Sequence, residues 1–213
     1  MKKTYYSNIM KKMSHQYEMI ALIYHESGHA ITALLNNIQL SSVIVKPTNL
    51  SGITHYSLAE YNVEDENLHK KILLSEISVF CGGLAAEKIY YKNITGSDIF
   101  PQVLKQGSWY DTSIISDIIK RNNLAPPGKS RKDFKNKIFK DTQDELDKYW
   151  DDVQIIAHAL YKRKKLNFKD VKKILINKSK NKDFWKEKLK NIDLIFKSNS
   201  LLSSKDFKTF IVK

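Results

Sequence analysis

Residues 25–29 read His-Glu-Ser-Gly-His and sit inside an otherwise apolar run, IALIYHESGHAITALL. Positions i and i+4 of a helix share a face, so His25 and His29 can aim both imidazoles at one point. Zinc accepts neutral ring nitrogens in that arrangement at about 2.0–2.1 Å. Glu26 falls beside the metal rather than on it, where its carboxylate can take a proton from a zinc-bound water. Zinc brings the pKa of such a water toward about 7, so a carboxylate is base enough near neutral pH. Gly28 is expected to leave room beside the metal for a substrate chain. The competing reading makes all three polar residues satisfied members of a core, and the helix-borne His-Glu-x-x-His spacing favours the metal over it.

Two ligands do not complete a catalytic zinc site, which takes three from the protein and keeps one position open. Glu87, on the next expected helix, is one candidate for the third. No third histidine follows closely, since none lies between Ala30 and Ile53, and an aspartate farther along is the remaining option. His15, His55, His69 and His158 have no partners at ligand spacing and read as structural or surface residues. His55 is kept in reserve because its strand could pass near the metal.

The elements that must position these groups follow from hydrophobic period and turn residues. Residues 16–36 read as a helix stopped by Asn36-Asn37. Residues 42–46 and 53–57 are short strands in a hairpin-like pair, separated by Pro47 and the turn residues Asn49 to Gly52. Residues 64–91 form a long helical stretch containing CGGLAAE, whose small side chains suit a tight helix–helix contact even though Gly costs about 1 kcal/mol against Ala in a helix. A loop at 93–110 precedes a helix starting near Asp111. After the linker NNLAPPGKS, the residues Leu146, Trp150, Val153, Ala157 and Leu160 trace one face of a long helix, and Asn167 caps a short one. Residues 178–213 read as helical.

With 213 residues, 42% of them hydrophobic, the chain can bury a core as one domain plus an appendage. The lone Cys81 excludes an internal disulfide and favours a reducing compartment. No secretory leader and no transmembrane run is evident, so a cytoplasmic protein is expected. The charge is lopsided: residues 161–213 hold 17 Lys and Arg against 5 Asp and Glu, and the first 160 hold 19 against 18. Such a tail could attract nucleic acid, an acidic protein or anionic membrane, or be a solvated helical surface.

Several segments, taken in order, resemble the peptidase domain of the FtsH-type AAA+ zinc proteases. HESGHAITALL is similar to that family's HEAGHA helix start, SVIVKPTNLSGITHY to its strand, turn and Gly-x-Thr strand, and CGGLAAEKIYY to its GGRAAE segment. GSWYDTSIISDII is similar to the segment whose aspartate is the third zinc ligand, and YWDDVQIIAHALYKRKKLNFKDVKKIL to the closing helices. The resemblance implies zinc on His25, His29 and Asp111, Glu26 as general base, and Glu87 as a residue that orients a ligand histidine. Asp98, in the similar TGSD, competes with Asp111. Asp111 is preferred because two residues separate it from Gly107-Ser108 and a helix of the right pattern follows.

The implied fold is mostly α (α+β), a zincin-like metallopeptidase domain over residues 1–177. It carries a small two- to three-stranded sheet beside the active-site helix and a basic, helical extension at 178–213. The implied activity is zinc-dependent hydrolysis of unfolded or extended polypeptide, the substrate adding to the strand at Ile53, Thr54, His55 and Tyr56. The sequence departs from the family in having no Gly-x-x-x-x-Gly-Lys-[Ser/Thr] loop and in carrying Leu84 where the family has arginine. An ATPase or unfoldase partner in trans would then supply unfolding. The alternative is a non-catalytic binding module whose Lys-rich end docks nucleic acid or an acidic protein, and a metal-dependent hydrolase of another bond type is a third reading. None of these readings sets an oligomeric state.

Overall fold

Helix α1 (Lys2–Leu35) is the element around which the rest assembles. From His25 to Leu35 every residue is buried, so this stretch is enclosed all round rather than laid on a surface. The computed structural model describes residues 2–59, 65–97, 109–200 and 207–212, and α1 begins well before the residue-16 start expected from periodicity. Helix α2 (Glu66–Thr95) packs along α1; Asp65 caps its start by accepting from the amides of Asn67 and Leu68, and Gly96 ends it at φ 67°.

The small residues of α1 and α2 meet at their crossing. A Cβ placed on Gly28 would stand 2.3 Å from the carbonyl oxygen of Gly82, and one on Gly82 would stand 2.5 Å from Thr32 Oγ1. The contact expected from CGGLAAE is therefore present, and Gly28 is part of it. Gly28 makes room for a neighbouring helix, not for a substrate.

Strands β1 (Gln39–Lys46) and β2 (Ser51–Ala59) pair antiparallel, with Val43 opposite Thr54. Along β2 the buried positions Gly52, Thr54 and Tyr56 alternate with the half-buried Ile53, His55 and Ser57, the period-2 pattern of a one-sided sheet. Next come α3 (Trp109–Arg121), α4 (Arg131–Lys148), α5 (Trp150–Arg163), β3 (Lys165–Asn167), α6 (Phe168–Lys178), α7 (Lys182–Ser200) and β4 (Phe207–Val212). The sheet order is β3-β1-β2-β4. The protein is thus mostly helical, with seven α-helices among the described residues and a small antiparallel sheet.

Two expectations are corrected here. The single long helix through Leu146 and Leu160 is broken at Tyr149 (φ −108°, ψ 23°) into α4 and α5. Aromatic packing accounts for the break, because Tyr149 lies against Phe184 and Trp185 while Trp150 stacks on Tyr24. The basic end of the chain is not helical throughout: Lys182–Ser200 is a helix, and residues 207–212 are a strand. That segment, FKTFIV, is rich in the aromatic and β-branched residues that fit a sheet.

Helix α7 is bound into the core despite its charge. Trp185, Leu189 and Ile192 are fully buried with Leu160 and Val171, and Trp185 Nε1 donates to the buried carboxylate of Asp152 at 2.9 Å. No helix among the described residues is long and apolar enough to cross a membrane.

Glu76, on α2, is only 7% exposed. Burial pushes its carboxyl up to about 7. The folded state therefore holds this proton more tightly than the unfolded chain, and stability falls as pH rises from the usual carboxylate range through about 7. The loss is bounded at about 3 kcal/mol. Glu76→Gln should remove it, so the variant's advantage in denaturant midpoint over wild type should grow between pH 5 and pH 8. An advantage that does not change with pH would show that Glu76 is solvated.

Candidate metal centre

Helix α1 presents His25 and His29 one turn apart, and α2 determines how their rings sit. Val79, Gly83 and Glu87 recur at four-residue steps and so form one stripe of α2. Glu87 Oε1 accepts from His25 Nδ1 at 2.6 Å, and the carbonyl of Val79 accepts from His29 Nδ1 at 2.7 Å. Both Nδ1 atoms carry the proton in these bonds, which leaves both Nε2 lone pairs for another partner. Between Val79 and Glu87 comes Gly83, where a Cβ would lie 2.5 Å from the Nε2 of each histidine. Only a residue without a side chain leaves those nitrogens accessible.

Asp111 arrives from the first turn of α3, where the positive end of the helix dipole favours a carboxylate. Its Oδ2 lies 3.1 Å from His25 Nε2 and 3.4 Å from His29 Nε2, and the two Nε2 atoms are 2.8 Å apart. Asp111 is fully buried, yet neither of its carboxylate oxygens accepts a well-directed hydrogen bond among the described residues. Burial pushes the Asp111 carboxyl up, but His29 and His25 outweigh it and hold it down at about 2. Burial likewise pulls the His25 imidazole down, and the carboxylates of Glu87 and Asp111 outweigh that and raise it well above its ordinary value. Two imidazole lone pairs and an anionic oxygen facing one another in the buried interior require a cation or a proton between them. His25, His29 and Asp111 bring one ligand atom each within 4.8 Å of the others, a donor set that could hold a metal ion.

Glu26 stands beside this group and is fully buried. Thr54 Oγ1, from β2, donates to its Oε2 at 2.6 Å, and Oε1 has no hydrogen-bond partner among the described residues. Burial raises the Glu26 carboxyl above its ordinary range, while His29, His25 and the Thr54 hydroxyl pull in the other direction. β2 can come this close because Gly52 has no side chain: a Cβ there would lie 2.2 Å from Glu26 Oε1.

The structure therefore brings together His25, Glu26, His29, Glu87 and Asp111. Asp98 lies outside the described residues. Of the four strand residues, Thr54 and Tyr56 face inward, and Ile53 and His55 are half-buried on the other side. His55 is not drawn into the metal group; burial and the nearby Lys165 lower its pKa. Two participants were missed from sequence, the Val79 carbonyl and the Thr54 hydroxyl as a partner of Glu26. For Val79 the only available signal was its place four residues before Gly83. For Thr54 it was the inward phase shared with Gly52.

No family model matches the chain. Part of it is similar to the ATP-dependent zinc metalloprotease FtsH of Mycoplasma mobile, 36% identical over 76 residues, or 35% of this chain and 10% of that protein. The FtsH of Mycoplasmopsis pulmonis is 39% identical over 80 residues, covering 36% and 10%. That of Lancefieldella parvula is 30% identical over 82 residues, covering 38% and 13%. The chain thus spans about a tenth of the length of the curated relatives it matches. The likeness to these zinc metalloproteases is distant and partial, and it joins a chain whose buried His-His-Asp group could bind a metal.

Proposed function

We propose that the chain is a zinc-dependent endopeptidase acting on extended or unfolded polypeptide. The observation that carries this reading is the convergence of His25, His29 and Asp111 beside Glu26, a base that belongs to none of the three ligand positions. Zinc held by the two Nε2 atoms and the Asp111 carboxylate would polarise the scissile carbonyl and bring the pKa of a coordinated water toward about 7. Glu87 and Val79 fix the histidine tautomers so that both Nε2 atoms face the metal. Thr54 pins one oxygen of Glu26 and leaves Oε1 to take a proton from water and pass it to the departing amine. An extended substrate would add to β2 through main-chain hydrogen bonds at the edge that β4 holds in this structure, a mode that tolerates many sequences.

The test is metal dependence. Zinc-loaded protein should cleave a chemically unfolded polypeptide, chelation should abolish the activity, and added zinc should restore it. Zinc-loaded protein that leaves unfolded polypeptide intact, both as the wild type and with the β4 pairing removed, would remove the peptidase reading.

A further inference from the structure

We propose that β4 stands where a substrate strand would stand, so that residues 207–212 compete in cis for the edge of β2. This rests on the peptidase reading above and adds to it the identity of one occupant. β2 borders the site directly, through Gly52 and Thr54 against Glu26. One of its edges is taken by β1. The other is taken by β4, antiparallel, with Val212 opposite Thr54, Phe210 opposite Tyr56 and Phe207 opposite Ala59. The segment therefore runs toward the base, and its residue 212 is in register with the threonine that holds Glu26.

A peptide adding to β2 needs the same outward N–H and C=O groups that β4 uses, so the two are mutually exclusive. The segment also has the composition of a strand ligand, since five of the six residues in FKTFIV are aromatic or β-branched. Its anchor is firm, because α7 is held in the core by Trp185 and its bond to Asp152. In the chain β4 follows α7 closely, and attachment at so short a sequence distance gives an effective concentration on the order of millimolar. A free peptide of similar intrinsic affinity, present at micromolar concentration, would not displace such a strand. The competent substrate is then an extended segment rich in aromatic and β-branched residues, and access is set by release of β4.

The experiment uses the full chain carrying Thr209→Pro and Phe210→Pro; neighbouring residues of a strand point their amides to opposite edges, so one of the two prolines removes an amide from the β2–β4 ladder. The probe is a fluorescently labelled synthetic peptide of sequence FKTFIV, titrated onto zinc-loaded Glu26→Gln protein with and without the proline pair. Binding should be at least tenfold tighter with the prolines present. Hydrogen exchange at the β2 amides should be faster in the proline protein and slow again on adding peptide. Equal affinity in the two proteins, detectable or not, overturns the proposal, as does binding that leaves the β2 amides unprotected. Hydrolysis of unfolded polypeptide, measured with Glu26 present, separates the two readings. If the binding difference holds and neither form cleaves, the peptidase reading fails and strand competition stands. If both forms cleave at the same rate, the peptidase reading stands and strand competition fails.

Discussion

Glu26→Gln should leave zinc binding intact and lower the rate of hydrolysis by about 10²–10⁴-fold. Glutamine has the same shape, and its side-chain oxygen can still accept from the Thr54 hydroxyl that now bonds Glu26 at 2.6 Å. It cannot take up a proton, and that is the step assigned to Oε1. The metal should stay because Glu26 is not among the three converging ligands. The variant should also be no less stable, since burial disfavours the charged carboxylate that is being removed. Zinc content, thermal midpoint and cleavage of unfolded polypeptide measured side by side decide the matter. A zinc-bound variant that cleaves at the wild-type rate would mean that water is activated by another group.

Gly83→Ala should abolish zinc binding without unfolding the protein. The added Cβ would lie 2.5 Å from the Nε2 atoms of both His25 and His29, in the space the metal needs. The helix itself loses nothing, as alanine is favoured over glycine by about 1 kcal/mol in a helix interior. The rings can retreat only by giving up the bonds from Nδ1 to Glu87 and Val79. Zinc at a thousandfold over its dissociation constant should stabilise the wild type by about 4 kcal/mol, and that increment should vanish in the variant. The comparison is four thermal midpoints, each protein with and without zinc. An equal rise in both would place the metal away from Gly83.

How far the sequence reaches depends on whether a feature is local. The pairing of His25 with His29 is a property of one helical turn, and it is legible from five residues. The tight crossing was legible in CGGLAAE as a need for close approach, but the partner was not, so Gly28 was read as space for substrate when it meets Gly82. Asp111 sits far along the chain from His29, and no periodicity links them; resemblance alone pointed to it. The break at Tyr149 carries no glycine or proline, because aromatic packing from α7 and α1 causes it. β4 was missed for the same reason. Strand pairing is a choice of partner, and FKTFIV in isolation does not say which edge it will join.

The glycine crossing of α1 and α2 couples the two imidazoles to a single mechanical variable. Val79 and Glu87 lie four residues on either side of Gly83, so both Nδ1 bonds depend on the separation of the same two helix axes. A methyl group at Gly28 or Gly82 alters no ligand, yet it would move α2 outward and stretch both bonds at once. The rings would then be freer to turn and to exchange tautomers, and metal affinity would decline by degrees rather than be switched off. Ordinary core substitutions along this seam are therefore a graded control on how tightly the metal is held.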